Sequence, residues 1–151
     1  MLELKTDATV HADYEQDLVL WYQEQIALLL ERRFDGLDVE HLIEELRAAM
    51  VKERRELASR LRVLLMHLLK CQFQHHHISG SWLGTLAEQR REIEGLLEDS
   101  PSLRETVMQV ADKEYPVAAR LAAYETGLVT SVFPASTPYS KDQLFDSHFV
   151  P

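Results

Sequence analysis

His67, Cys71 and His75 recur at every fourth position. Side chains at i and i+4 share one face of a helix, so an imidazole and a thiolate at that spacing can hold a zinc ion between them. The outer pair of this series lies about 12 Å apart along a helix axis, too far to share one ion unless the chain bends. His76 and His77, next along the chain, could add ligands from a loop. The competing reading makes His67 a packed core residue, Cys71 a small buried hydrophobe and the triple-His run a solvated loop. Spacing alone does not lift zinc above that reading. We therefore expect no cofactor, with zinc at His67, Cys71, His75 and His77 as the alternative. The histidine run would equally make a patch that gains charge in mild acid.

Tyr14, Asp17 and Trp21, with Glu24 and Gln25, lie on neighbouring rows of a candidate helix. Polar groups flanking aromatic rings can line a small-ligand pocket. The plainer reading is a half-buried amphipathic helix with Asp17 stabilised near its positive N-terminal end. Arg54 and Arg55, together with Arg60, Arg62, Arg90 and Arg91, are candidates for one basic surface that could face nucleic acid. A helix-turn-helix reader needs a short Gly-containing turn and an exposed recognition helix, and neither is visible. Glu88, Glu92 and Glu94 dilute the positive charge, so nucleic-acid binding is not expected.

The carboxylates Glu44, Glu45, Glu53 and Glu56 raise the possibility of a di-metal bundle, which uses Glu-x-x-His motifs from two helices. Glu40–His41 and Glu45 do not have that spacing, and a charged helix surface with pairs such as Glu56–Arg60 accounts for these residues. No Gly-rich phosphate loop, nucleophile elbow or Cys–His signature is present. With no recognisable nucleophile, base or metal set, a catalytic role is not expected.

Helices must position all of these groups. Leu, Glu, Ala and Arg, all good helix formers, are prominent, only five glycines occur, and no alternating strand pattern is found. The first helix is expected from Asp13 to Arg33, with Asp13 as cap and Gln16 completing a capping box. The turn Phe34 to Asp38 follows, with Gly36 as the positive-φ residue. Asp38 caps a second helix whose leucines, including Leu57, Leu61, Leu64, Leu65, Leu68 and Leu69, keep helical register to Phe73. The charged run from Lys52 to Glu56 leaves a continuous rod and a broken one equally open. Further helices are expected from Trp82 to Glu98, capped by Ser81, and from Pro101 to Gly127, with Pro116 as a kink and Gly127 as the terminator. The fold class is thus all-α: four main helices in a bundle, a long second helix, and a C-terminal arm with one short helix capped by Ser140 and Gln143. We divide the chain into a flexible N-terminus (1–12), a bundle (13–127) and an arm (128–151) docked on it by Phe133, Tyr139, Leu144, Phe145 and Phe149.

The 151 residues are 46% hydrophobic and 27% charged, ordinary values for one globular domain. A net charge of -9 opposes phosphate backbones and anionic membranes. The single cysteine excludes an internal disulfide framework and fits a reducing cytoplasm. No apolar run nears the roughly 20 residues of a membrane span, and the N-terminus lacks signal-peptide order. We expect a cytoplasmic protein that does not engage membranes.

Four blocks carry a family resemblance: YEQDLVLWYQEQ, LLLERRFDGLDVEHLIEELRAAMVKERRELASRLRVLLMHLLK, SWLGTLAEQRREIEGLLEDSPSLR and ETGLVTSVFPASTPYSKDQL. In order and spacing they resemble the bacterial "domain of unknown function twenty-nine" family, from about Tyr14 to Val150. The resemblance implies an all-helical bacterial protein and carries no activity, cofactor or site. Two positions depart from the family's pattern. Cys71 stands where the family has tryptophan, and Gln74-His75-His76-His77 stands where it has a Gln-Pro-Glu type of loop. The long apolar stripe and aromatic-rich arm together offer more apolar surface than a compact monomer needs, so a protein-interaction module, self-associating as a homodimer or binding a protein partner, is the expected function, with a metal-binding protein or metal-dependent enzyme and a nucleic-acid accessory factor as the alternatives.

Overall fold

The computed structural model describes residues 12–151. The reading of 1–12 as a flexible N-terminus therefore lies, except for Ala12, outside the described residues. The fold is all-α, with no strand among the described residues. Four main helices, α1 (Leu18–Leu30), α2 (Val39–Phe73), α3 (Gly80–Asp99) and α4 (Val107–Thr126), are followed by the short α5 (Lys141–Phe145) in the C-terminal arm. By compactness the chain forms two units, Met1–Ala49 and Met50–Pro151, and α2 contributes residues to each.

α2 is one continuous helix of 35 residues, roughly 50 Å at 1.5 Å per residue. The charged run Lys52 to Glu56 does not break it. Lys, Glu and Arg are good helix formers, the run contains no Gly or Pro, and Glu56 accepts from Arg60 one turn on at 2.8 Å. The apolar stripe is interrupted there because Lys52 to Arg55 are exposed, not because the backbone changes course.

In the first unit, the cap of α1 lies four residues after Asp13, and the helix itself runs from Leu18 to Leu30 rather than from Asp13 to Arg33. Asp17 is its cap, with a carboxylate oxygen accepting from the Leu20 amide at 2.9 Å, while Asp13 closes a turn before it through its carbonyl. α1 ends in a Schellman arrangement: the Arg33 amide donates to Leu28 O at 2.9 Å and the Arg32 amide to Leu29 O at 3.1 Å. Arg32, at φ 56°, takes the left-handed position assigned from the sequence to Gly36. Gly36 serves a different need: a Cβ there would come within 3.1 Å of Leu28 Cδ2, so its lack of a side chain lets the turn close against α1. Asp38 caps α2 as expected, its side chain accepting from the His41 amide.

The second unit holds the core. Leu57, Leu61, Leu64, Leu65, Leu68 and Leu69 of α2 are buried with Leu86, Ile93 and Leu97 of α3 and with Val107, Ala111, Ala118 and Ala122 of α4. The alanines leave α4 a slim inner face. α3 starts two residues earlier than expected, capped by Ser79 rather than Ser81, because the Ser79 hydroxyl accepts from the Trp82 amide. Pro101 opens a 3-10 turn (Pro101–Thr106) before α4, and α4 continues through Pro116. Gly127 at φ 74° ends α4. In the arm, Phe133, Tyr139 and Leu144 are buried in the same core, and Ser140 with Gln143 forms a full capping box on α5.

Arg90 of α3, 6% exposed, ties this arm down. Its guanidinium donates to Leu144 O at 2.9 Å, Gln143 O at 3.1 Å and Phe149 O at 2.9 Å. Burial lowers its pKa, and the three carbonyls supply acceptors in place of water. Two hydroxyls complete the attachment: Tyr115 donates to Pro134 O at 2.8 Å and Tyr139 to Gln72 Oε1 at 2.7 Å. Buried Lys70 lies 4.4 Å from the Trp82 ring centre and ion-pairs with Glu125. No helix among the described residues is long and apolar enough to cross a membrane.

Candidate functional site

The densest polar arrangement lies in the first unit, where α1 and the start of α2 run antiparallel. Tyr14 and Trp21 come together edge to face, with ring centres 5.0 Å apart, and His41 stacks on Tyr14 at 4.1 Å. Asp38 sits between them, meeting His41 Nδ1 at 2.7 Å and accepting from Trp21 Nε1 at 3.1 Å. Gln25, almost fully buried, accepts from the Asp38 amide at 2.8 Å. Glu45, two turns along α2, accepts from the hydroxyls of both Tyr14 and Tyr22. A helix row thus supplies Asp38, His41 and Glu45 to meet the aromatic row of α1.

The electrostatics follow from these contacts. The Asp38 hydrogen bond, against some desolvation, raises the pKa of His41 above its ordinary value. For Asp38, desolvation pulls upward, but the hydrogen bonds from His41 and Trp21 outweigh it and the carboxyl ends below its usual value. Hydrogen bonding to Glu45 pushes Tyr14 up to about 12 and raises Tyr22, while the same bonds lower Glu45. Asp38 fixes the His41 ring by its Nδ1, the orientation found in acid–base dyads. A nucleophile is what a dyad needs next, and among the described residues no Ser, Thr or Cys side chain is hydrogen-bonded to His41. The arrangement works as a polar lock between two helices.

Of the sequence candidates, Tyr14 and Trp21 are brought together, and Asp17 is occupied in capping α1. Arg54 and Arg55 are exposed on the middle of α2, in the second unit. They share no surface with Arg90, which is buried under the arm, and Arg60 and Arg62 are neutralised by Glu56, Glu92 and Glu114. His67 is a core-edge residue whose Nδ1 meets Val63 O at 3.0 Å, and burial lowers its pKa. Cys71 is fully buried, and burial raises its thiol pKa. His75–His77 form an exposed 3-10 turn. Among the described residues no three or more His, Cys, Asp or Glu side chains are placed to share a metal ion. His41 and Glu45 were passed over in the sequence because they fitted no metal spacing. The signal that would have found them is their i+3 and i+7 relation to the cap Asp38, facing Tyr14 and Trp21.

The outer sides of this hairpin are apolar. On α2, Val39, Ile43 and Leu46 recur at i, i+4 and i+7, with Leu46 70% exposed. On α1, Val19, Tyr22, Ile26 and Leu29 recur at helical spacing, with Leu30 beside them 80% exposed. Among the described residues before Met50 only Trp21, Gln25 and Leu28 are buried.

The model of a protein family described as "Domain of unknown function DUF29" matches residues 14–150. No curated protein and no solved structure matches the chain.

Proposed function

Since the chain belongs to the DUF29 family, whose description assigns no activity, we propose a function from its own surface: a protein-interaction module that self-associates through the α1–α2 hairpin. The observation that carries this reading is the double apolar stripe, Val39, Ile43 and Leu46 on α2 and Val19, Ile26 and Leu29 on α1, all exposed on a hairpin that buries almost nothing. Two helices with so few buried side chains cannot supply a core of their own. The polar lock of Tyr14, Asp38, His41 and Glu45 fixes how the two helices pair, so the stripes are presented as a preset surface.

A second copy suits that surface. Two hairpins joined about a two-fold axis make a four-helix bundle, in which each stripe meets its equivalent. Glu31, Arg33, Glu40 and Arg47, exposed on the same hairpin, provide the mixed polar rim that such an interface carries.

Sedimentation velocity over a concentration series tests the proposal. A dimer is expected, and the double variant I26E/L46E is expected to sediment as a monomer with unchanged helical circular dichroism, since both side chains are already in water. A monomer at high micromolar concentration, or a dimer indifferent to both charges, overturns it.

A further inference from the structure

We propose that the second unit carries a binding site for a small amphiphilic anion, one negatively charged head group on an apolar body. The site is a groove of about 590 Å³ between the middle of α2 and the segment from Leu103 to Glu114. Its volume lies within the range of small-molecule sites. The floor is apolar: Leu57 and Leu103 are buried, and Val51 and Val110 flank them. The rim is cationic, with Arg54 and Arg55 on one side and Lys113 on the other.

Charge pairing distinguishes this rim from several other basic side chains of the second unit. Arg60, Arg62, Lys70 and Arg91 each have a carboxylate partner. Arg54, Arg55 and Lys113 have no ion-pair or hydrogen-bond partner among the described residues. The acidic group lining the groove, Glu114, is held by Arg62 at 3.2 Å, so it does not neutralise them. In a chain of net charge -9, these three unpaired cations line one apolar cleft, where they can attract an anionic group at short range. A guanidinium fork and an ammonium approaching from opposite walls suit a carboxylate or phosphate head group. The valine and leucine floor gives the ligand's hydrocarbon a place out of water. The Thr106 hydroxyl is spent on Leu103 O at 2.7 Å, which leaves the exposed amide of Gln109 as the neutral donor at the rim.

Decanoate, kept below its micellar concentration, is the probe. Titration into the full chain, followed by amide NMR, is expected to give saturable one-to-one shifts confined to Val51–Ala58 and Leu103–Glu114. Two controls divide the chemistry. Inorganic phosphate carries the charge without the body, and decyltrimethylammonium carries the body with the opposite charge; both are expected to bind at least about tenfold more weakly. R54E and K113E are each expected to weaken decanoate by about tenfold or more, and the milder R54Q and K113Q by less, in the same order. All these side chains are exposed, so circular dichroism should be unchanged. Absence of saturable shifts, equal binding of either control, or charge variants that bind as the parent does would each overturn the proposal.

Discussion

Replacing Arg90 by Met isolates how the arm is held. The methionine keeps most of the stem's volume and removes the fork. Three carbonyls lose their donor, and they do not lose equally. Leu144 O is buried, so orphaning it costs about 1–3 kcal/mol. Gln143 O and Phe149 O are partly buried and recover water, so each costs about 1 kcal/mol or less. Against this stands relief from burying a cation, whose desolvation shows in the lowered pKa of Arg90. The balance is a loss of roughly 2 kcal/mol, or about 6 °C in Tm for a chain of this size. The loss should be local as well as global, with amide hydrogen exchange in residues 140–151 accelerating before that of α2. R90K should fall between, because an ammonium keeps the charge without the planar fork. A Tm within about 2 °C of the parent, with arm protection unaltered, would refute the clamp.

Two further outcomes are expected. R32G should raise stability by about 0.5–1 kcal/mol, read as a higher urea midpoint, because Arg32 holds the left-handed C′ position of a Schellman motif at φ 56°; a lower midpoint would show that the turn needs the arginine side chain. His41 should titrate by NMR with a midpoint above 6.5, and D38N should bring it down. The sign of its effect on stability follows: the raised His41 contributes fully below 6.5 and is lost as pH rises through its folded pKa, while the lowered Asp38 contributes above 3.8 and is lost as pH falls through its own. The pair therefore supports the hairpin most in mild acid, and a His41 midpoint at or below 6.5 would remove that contribution.

The leucine rows of α2 made the fold class legible, because apolar residues every three to four positions admit only a helix packed on its neighbours. Caps that depend on the next few residues were read well for Asp38, Ser140 and Gly127. Where two candidates competed nearby, local pattern did not decide: Asp17 took the cap from Asp13 and Ser79 from Ser81. Gly36 attracted the positive-φ assignment by its residue type, yet its position is set by contact with Leu28, a tertiary fact. The same limit hid Arg90. A guanidinium whose acceptors lie 53 or more residues away looks, in sequence, like any surface arginine beside Arg91. Tyr14 and Trp21 were visible as a pair, whereas His41 and Glu45 gained meaning only when the turn at Gly36 folded their helix back onto α1.

The spacing of the Arg90 clamp also bears on how a nascent chain matures. The last of its three acceptors, Phe149 O, is synthesised 59 residues after the arginine. A chain that has emerged only as far as α4 has α3 available but nothing to receive the guanidinium protons. Until residues 143–149 are in place, those donors have water as their partner. The clamp therefore couples burial of the Arg90 guanidinium to a segment 53 to 59 residues further along the chain, and a chain cut before Gln143 would leave all three of its donors to water.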